Sequence, residues 1–257
     1  MWKCLECKKQ FTVKVGTIFE DSPISLDKWM LAMWMLANCK NGINSYEIAR
    51  DLSVTQKTAW FMLQRLRHAM LNGTFEKMTG EIEADETYIG GRAKNMHKSR
   101  LAKNPVGTGG QGKTIVLGFR NRGGDVKAEI IPDAMQVTLR RRVKETVEAG
   151  STLYTDFAGG YRGLDSVYDH QIVDHAIEYV RGRVHTNGIE NFWSLLKRTL
   201  KGTYVSVEPF HLLRYIAEQT FRYNERKLTD GERFQLVLEA ISGKRLTWNT
   251  LTSQEAG

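Results

Sequence analysis

The chain has 257 residues, of which 41% are hydrophobic and 26% are charged. This composition excludes a disordered, collagen-like or low-complexity protein, and the length allows one large domain or two smaller ones. The longest apolar run, Trp29 to Ala37, is far shorter than the roughly 20 residues that a membrane helix needs, and the N-terminal residues do not form a signal peptide. The sequence therefore predicts a cytoplasmic protein with no membrane partner.

The charge is basic and unevenly distributed. Lysine and arginine number 37 against 29 acidic residues, which gives a net charge of +8. One glycine-rich segment, residues 92–113, contains cations and no acid: Arg92, Lys94, Lys98, Arg100, Lys103 and Lys113. Such a segment favours contact with the phosphates of a nucleic acid. A solvated insertion that only aids solubility is the alternative interpretation.

Residues 1–22 predict a small β knuckle that contains Cys4 and Cys7. This spacing lets two thiolates reach one tetrahedral zinc ion, but a structural zinc site needs four ligands and no second pair follows. The pair therefore looks like half a zinc ribbon, and we expect this chain to hold no zinc. Two idle thiols or a redox pair are the alternatives.

Residues 23–72 predict three helices. After a first amphipathic helix, Ser45 is placed to cap a second helix, and Thr55 is placed to cap a third that runs to about Met70. Two short helices joined by a tight turn form the helix-turn-helix pattern of DNA-binding proteins. The third helix would then recognise DNA, and the side chains expected to contact it are Gln56, Lys57, Arg65 and Arg67. A plain three-helix bundle with a basic face is the alternative.

Beyond Gly80 the pattern changes to strands that alternate with helices. Strands are predicted at residues 81–89, 114–119, 126–131, 151–155 and 176–184, and helices at residues 135–149 and 188–200. This order is that of the ribonuclease-H-like fold, an α/β fold in which helices flank a mixed sheet. We expect that domain to cover residues 80–202 and to be followed by a helical extension over residues 203–257.

Three acids fall where a ribonuclease-H-like fold places metal-binding carboxylates: the first strand, the end of the fourth strand and a late helix. They are Asp85, Asp156 and Glu190, and Lys197 follows Glu190 by two turns of the same helix face. Clustered carboxylates of this kind hold two divalent cations, Mg²⁺ or Mn²⁺, for phosphoryl transfer on nucleic acids. Alternation along the first strand does not decide between Asp85 and its neighbours Glu83 and Glu86. The alternative is that the acids are solvated surface residues.

The stretches around these acids resemble bacterial insertion-sequence transposases of the DDE superfamily, in the branch with a lysine seven residues after the third acid. The matching stretches are GEIEADETYIGG around Asp85, YTDFAGGYRGL around Asp156, VHTNGIENFWSLLKR around Glu190 and Lys197, and FRYNERK at residues 221–227. The resemblance extends from Trp2 to the end of the chain. It departs at Cys4 and Cys7, where the related ribbon has four cysteines.

The resemblance implies Mg²⁺-dependent cleavage of the ends of an insertion sequence and their joining to target DNA, with Asp85, Asp156 and Glu190 as metal ligands. It also implies that the partner is double-stranded DNA, that the chain forms a homo-oligomer on this DNA, and that it lies with the nucleoid of a prokaryotic cytoplasm. His185, Asn187 and Arg198 are further candidates for DNA contacts, although capping of a strand end explains the first two more simply. Two alternatives stay open: an inactive, domesticated transposase that regulates DNA, and a stand-alone ribonuclease-H-like nuclease or resolvase.

Overall fold

The computed structural model describes residues 2–71, 76–91, 112–156, 159–173 and 185–252. The chain divides into two units. The helical unit comprises residues 1–72 and 199–257, and the sheet unit comprises residues 73–198. No helix in the described ranges combines the length and apolarity needed to span a membrane.

The elements of the described ranges are numbered in chain order. The strands are β1 (Trp2–Lys3), β2 (Gln10–Phe11), β3 (Glu81–Ile89), β4 (Thr114–Asn121), β5 (Val126–Ile131), β6 (Thr152–Asp156) and β7 (Asp169–Val173). The helices are α1 (Leu26–Asn38), α2 (Ser45–Leu52), α3 (Gln56–Ala69), α4 (Gln136–Thr146), α5 (Asn187–Gly202), α6 (Leu212–Asn224), α7 (Asp230–Glu239) and α8 (Trp248–Thr252).

The three helices predicted near the N-terminus are present, and local capping fixes their starts. Thr55 caps α3 as expected, since its side chain accepts a hydrogen bond from the backbone N–H of Thr58. The cap of α2 is Asn44 rather than Ser45, and it forms a capping box with Glu47. Asparagine lies one residue before the predicted cap and supplies the same kind of acceptor oxygen.

The core of the helical unit joins residues from both ends of the chain. Ile48, Leu63 and Leu66 are buried there together with Phe221 of α6 and Val237 of α7. The two ends are also hydrogen-bonded, because the backbone N–H of Ile18 donates to the carbonyl oxygen of Ile241 at 3.1 Å. The C-terminal helices therefore complete the core that α1, α2 and α3 begin.

The prediction that Arg65 and Arg67 contact DNA is wrong, because both lie inside the helical unit. Arg67 is 1% exposed, and its Nε donates to Oε2 of Glu218 at 2.6 Å. Arg65 donates to the carbonyl oxygens of Leu246, Ile18 and Glu20 at 2.8–2.9 Å. Helix α3 is thus buried from Met62 to Arg67, whereas most side chains of its first turns stay at least partly exposed.

The sheet unit contains a five-stranded mixed sheet in the order β5-β4-β3-β6-β7. β3 pairs with β4, and β4 with β5, in antiparallel fashion, whereas β3 pairs with β6, and β6 with β7, in parallel fashion. This mixed sheet confirms the predicted α/β class and fits a ribonuclease-H-like domain. The fifth strand is Asp169–Val173, which precedes the predicted segment 176–184; that segment lies outside the described residues.

The two faces of the sheet are covered by different helices. On one face, Ile82 and Ala84 of β3 pack in a core that includes Leu139 and Val143 of α4. On the other face, Gly118 of β4 lies opposite Asp85 of β3. A Cβ atom at Gly118 would lie 2.5 Å from the ring of Trp193, so α5 packs closely against the face that carries Asp85.

Candidate active site

Asp85 and Asp156 occupy matching positions on two adjacent parallel strands. Glu83 of β3 lies opposite Tyr154 of β6, and each aspartate is two residues further along its strand. Because side chains two residues apart point to the same face of a strand, the two carboxylates are directed to the same side. The structure therefore brings together the first two acids that the sequence singled out.

The carboxyl group of Asp85 is electrostatically unfavourable in its charged form. Burial raises the pKa of Asp85 most, the neighbouring carboxylates of Glu86 and Asp156 raise it further, and the resulting pKa is about 7. The indole Nε1 of Trp193 donates a hydrogen bond to Oδ2 of Asp85 at 2.9 Å, which opposes this shift. A partly buried acid beside two other acids is the electrostatic environment that a cation would relieve.

Glu86 belongs to the same acidic group but is held by a tyrosine. The hydroxyl of Tyr161 donates to Oε2 of Glu86 at 2.7 Å, and Tyr161 is 1% exposed. Burial raises the pKa of Glu86, and the charge of Asp156 adds to that increase. Tyr161 lies in the 3-10 turn Gly159–Tyr161, shortly after Asp156, so this bond ties the turn to β3. The sequence reasoning missed Tyr161, although it lies within the motif around Asp156.

Glu83 is directed away from the acidic group and into a cationic one. Its carboxylate is fully buried, and Oε2 accepts the backbone N–H of Ile189 at 2.8 Å. Its Oε1 lies 3.2 Å from Nε of Arg122 and 3.4 Å from Nη1 of Arg120. Of the three acids between which the sequence did not decide, Asp85 is thus the one that faces Asp156 without being held by an arginine or a tyrosine.

Glu190 lies in the first turn of α5, and its side chain is exposed. Its Oε1 accepts a hydrogen bond from the hydroxyl of Thr186 at 2.9 Å. Lys197 is two turns further along the helix and is also exposed, as is Arg198 beside it. In the part of the chain that the structure describes, no three histidine, cysteine or acidic side chains lie close enough together to hold a metal ion. Glu190 is therefore not joined to the aspartate pair in such a group.

The remaining predicted contact residues are dispersed. His185 is partly buried next to Glu83, with Nδ1 3.6 Å from Oε1 of that acid, whereas Asn187 is exposed at the start of α5. Gln56 donates from Nε2 to the hydroxyl of Ser45 at 2.8 Å, and Lys57 is exposed with Nζ 4.5 Å from the ring centre of Trp248. The predicted basic residues of the glycine-rich segment, Arg92, Lys94, Lys98, Arg100 and Lys103, lie outside the described residues.

Cys4 and Cys7 lie in the turn between β1 and β2, as the predicted knuckle requires. The backbone N–H groups of Cys7 and Glu6, followed by the thiol of Cys7, lower the pKa of the Cys4 thiol by hydrogen bonding. Cys7 is exposed and Cys4 is partly exposed. The two sulfur atoms are thus presented together, as half of a tetrahedral site would require, and whether the chain holds zinc stays a prediction.

Comparison with known proteins identifies the family of the chain. Residues 77–224, more than half of the chain, match a family described as ISXO2-like transposase domain. A protein of Halobacterium salinarum, described as an uncharacterized protein in transposable element ISH50, is 28% identical over 247 residues. That alignment covers 92% of this chain and 82% of the halobacterial protein. The chain therefore belongs to the ISXO2-like transposases of insertion sequences.

Proposed function

We propose that this transposase cleaves DNA at the ends of its insertion sequence and joins the freed ends to target DNA, by metal-dependent phosphoryl transfer. Asp85, Asp156 and Glu190 are the proposed metal ligands, and Lys197 the proposed contact to DNA phosphate near them. The observation that carries the proposal is the pair Asp85 and Asp156, at matching positions on adjacent strands, with the pKa of Asp85 raised to about 7.

The donor set fits a hard divalent cation. The aspartate pair offers carboxylate oxygens only, which suits Mg²⁺ or Mn²⁺ better than zinc or copper. Burial and the charges of Glu86 and Asp156 raise the pKa of Asp85, and a cation between the two aspartates would offset this increase. When bound, such a cation stabilises the charge on the attacking and leaving oxygens of the phosphodiester. Glu190 would add a third carboxylate from the start of α5.

The side chains around the acids would hold the reacting groups in place. Trp193 fixes the orientation of Asp85 through the 2.9 Å hydrogen bond from its indole Nε1. Lys197 is exposed on the same helix face as Glu190, where its ammonium group can neutralise a DNA phosphate. Asn187 and Arg198 belong to α5, and His185 lies two residues before it. All three are proposed to contact DNA around the cleaved bond.

The helical unit is proposed to bind the ends of the insertion sequence. Gln56 and Lys57 begin α3, and the first residues of a recognition helix are those that reach base edges in helix-turn-helix proteins. The basic residues between Arg92 and Lys103 are proposed to bind backbone phosphate. We further propose that the chain acts as a homo-oligomer on double-stranded DNA, because two element ends must be cut and joined together.

The electrostatics of Asp85 favour an enzyme over a DNA-binding relic. A carboxylate placed beside two other acids destabilises the folded state at neutral pH, and a purely regulatory protein gains nothing from keeping it. Joining activity, rather than cleavage alone, separates a transposase from a ribonuclease-H-like nuclease.

The test is a plasmid assay with the DNA that flanks the reading frame as the element ends. With Mg²⁺, the wild type should cleave at these ends and produce joined products. Asp85→Asn and Asp156→Asn should each lower cleavage by at least about 1,000-fold while retaining DNA binding, because loss of a metal ligand removes several kcal/mol of transition-state stabilisation. Glu129→Gln, an acid of β5 that pairs with Arg142, is the matched control and should keep wild-type activity. Undiminished cleavage by both aspartate variants would refute the proposed site.

A further inference from the structure

We propose that Glu83 is a positioning residue that holds the start of α5, and with it Glu190, in place on β3. The inference rests on the proposed function, because it concerns where the third acid is presented. It assigns a role to a buried acid of β3 that takes no part in the group around Asp85.

Glu83, which lies on strand β3, caps the N-terminus of helix α5. The carboxylate is 0% exposed, and its Oε2 accepts the backbone N–H of Ile189, the third residue of α5, at 2.8 Å. The first N–H groups of a helix have no partner within the helix and carry its positive end, so they favour a carboxylate. Glu190 is the next residue, so the position of its backbone follows directly from this bond.

Two arginines complete the attachment. Arg122 approaches Oε1 of Glu83 to 3.2 Å, and its Nη2 also donates to the carbonyl oxygen of His185 at 2.8 Å. Arg120 lies 3.4 Å from the same Oε1. Both arginines flank the segment that leads into α5, from the adjacent strand β4 and the turn after it. The buried charge of Glu83 is therefore balanced, and its cations also hold the chain before the helix.

Gly188 leaves the space that this cluster needs. A Cβ atom at position 188 would lie 2.1 Å from Nη1 of Arg120 and 2.6 Å from Oε2 of Glu83. Neither contact is sterically possible, so a side chain at position 188 would displace the Arg120 and Glu83 side chains or the helix start and would break up the cluster. The glycine in the motif VHTNGIENFW is explained by this close approach of backbone to a buried ion pair.

Helix α5 is attached to β3 at two points, and the spacing of the contact residues along the strand matches their spacing along the helix. Glu83 binds the N–H of Ile189, and Asp85, two residues along the same face of β3, binds the indole of Trp193, one helical turn further on. Two contacts fix both the position and the rotation of α5 on the sheet. Glu190 lies between them in the sequence, so the two contacts fix the stretch of backbone from which its carboxylate projects.

The test compares Mn²⁺ binding, measured by electron paramagnetic resonance on the full chain, with single-turnover cleavage. Glu83→Gln and Gly188→Ala should each weaken Mn²⁺ binding by about 10- to 100-fold, as loss of a group that orients a metal ligand typically does. The double variant Glu83→Gln with Glu190→Gln should bind Mn²⁺ no more weakly than Glu190→Gln alone, because the two residues act through the same ligand. Glu129→Gln should bind as the wild type does.

Thermal unfolding identifies which variants fold. If Glu83→Gln does not fold, Gly188→Ala decides the test, because it keeps the carboxylate and both arginines. Wild-type Mn²⁺ affinity in a folded Glu83→Gln or Gly188→Ala protein, together with weakened binding by Glu190→Gln, would overturn the positioning role and leave the proposed function intact. Unchanged Mn²⁺ binding and cleavage in Glu190→Gln would instead overturn the proposed role of the third acid, and the positioning role with it.

Discussion

Each unit of the chain contains an acid whose pKa is shifted by its surroundings, and the two pKa shifts have opposite directions. In the helical unit Glu218 is fully buried, contacts Arg67 and Arg222, and accepts the hydroxyl of Tyr204. Burial alone would raise the pKa of Glu218, but the two arginines and the hydrogen bonds lower it below its ordinary value. In the sheet unit burial raises the pKa of Asp85, the charges of Glu86 and Asp156 raise it further, and the result is about 7.

The comparison separates a structural ion cluster from a binding site. Glu218 has its cations within the fold, so its charge contributes to holding α3 and α6 together. Asp85 lies near the carboxylates of Glu86 and Asp156, and the hydrogen bond from Trp193 offsets only part of the resulting pKa increase, so a bound cation would stabilise its charge. Both residues have a carboxyl group that is largely buried. The charge of the neighbouring side chains, positive at Glu218 and negative at Asp85, makes Asp85 the functional candidate.

The largest effect on stability is expected at Glu218. Glu218→Gln leaves two buried arginines without their carboxylate, which should destabilise the fold by about 3–5 kcal/mol. Urea unfolding of this variant would measure the loss. Glu208→Gln, an exposed acid of the same unit, should lie within about 0.5 kcal/mol of the wild type. A Glu218 variant as stable as this control would show that the buried cluster contributes little.

Asp85→Asn should have the opposite effect. A folded-state pKa above the unfolded value means that the folded state binds the proton more tightly, so the acid destabilises the fold increasingly as pH rises from about 4 to 7. The amide removes this charge, and the variant should be more stable than the wild type by roughly 2–4 kcal/mol at pH 8 without divalent cations.

The gain should shrink as the pH falls from about 7 to about 4, because Asp85 becomes protonated in the folded state, and it should vanish below about pH 4, where Asp85 is protonated in both states. Urea unfolding at several pH values measures this, and Asp125→Asn, in the exposed turn between β4 and β5, is the control. A loss of stability in Asp85→Asn at pH 8 would contradict the assigned electrostatics.

A smaller effect is expected at Tyr161. Tyr161→Phe removes only the hydroxyl that donates to Glu86, at a cost of about 1 kcal/mol in the free energy of unfolding. Because this bond ties the turn after Asp156 to β3, the loss of cleavage activity, expressed as a free energy, should exceed the loss in the free energy of unfolding. Tyr88→Phe, an exposed tyrosine of the same strand, should change neither. Equal cleavage by both variants would show that the bond has no influence on the site.

Much of the sheet unit is predictable from local pattern, whereas its attachments are not. The bounds of β3 and β5 agree with the prediction, and α5 begins one residue before its predicted start. Alternation could not choose between Glu83 and Asp85, because both point to the same face of β3. The start of α5 lies more than 100 residues later in the chain, and the backbone N–H of Ile189 there binds the carboxylate of Glu83. This long-range contact distinguishes Glu83 from Asp85.

The helical unit shows the limit of helical periodicity. The helix-turn-helix pattern predicts that Arg65 and Arg67 contact DNA from a recognition helix, but α3 packs among elements from both ends of the chain. Glu218, the partner of Arg67, is 151 residues away in sequence, and no local pattern links the two. Strand β7 was missed because its residues are mostly polar and partly exposed, which gives a weak apolar signal.

The central proposal is that Asp85 and Asp156 form a divalent-cation site. The most direct test is the affinity of the full chain for Mn²⁺ as a function of pH. Protons compete with the cation for Asp85, so the affinity should fall about tenfold per pH unit below pH 7 and level off above it. Asp85→Asn should bind far more weakly and lose this dependence. A Mn²⁺ affinity that stays constant between pH 5.5 and pH 8, or a pH dependence that persists in Asp85→Asn, would contradict the account.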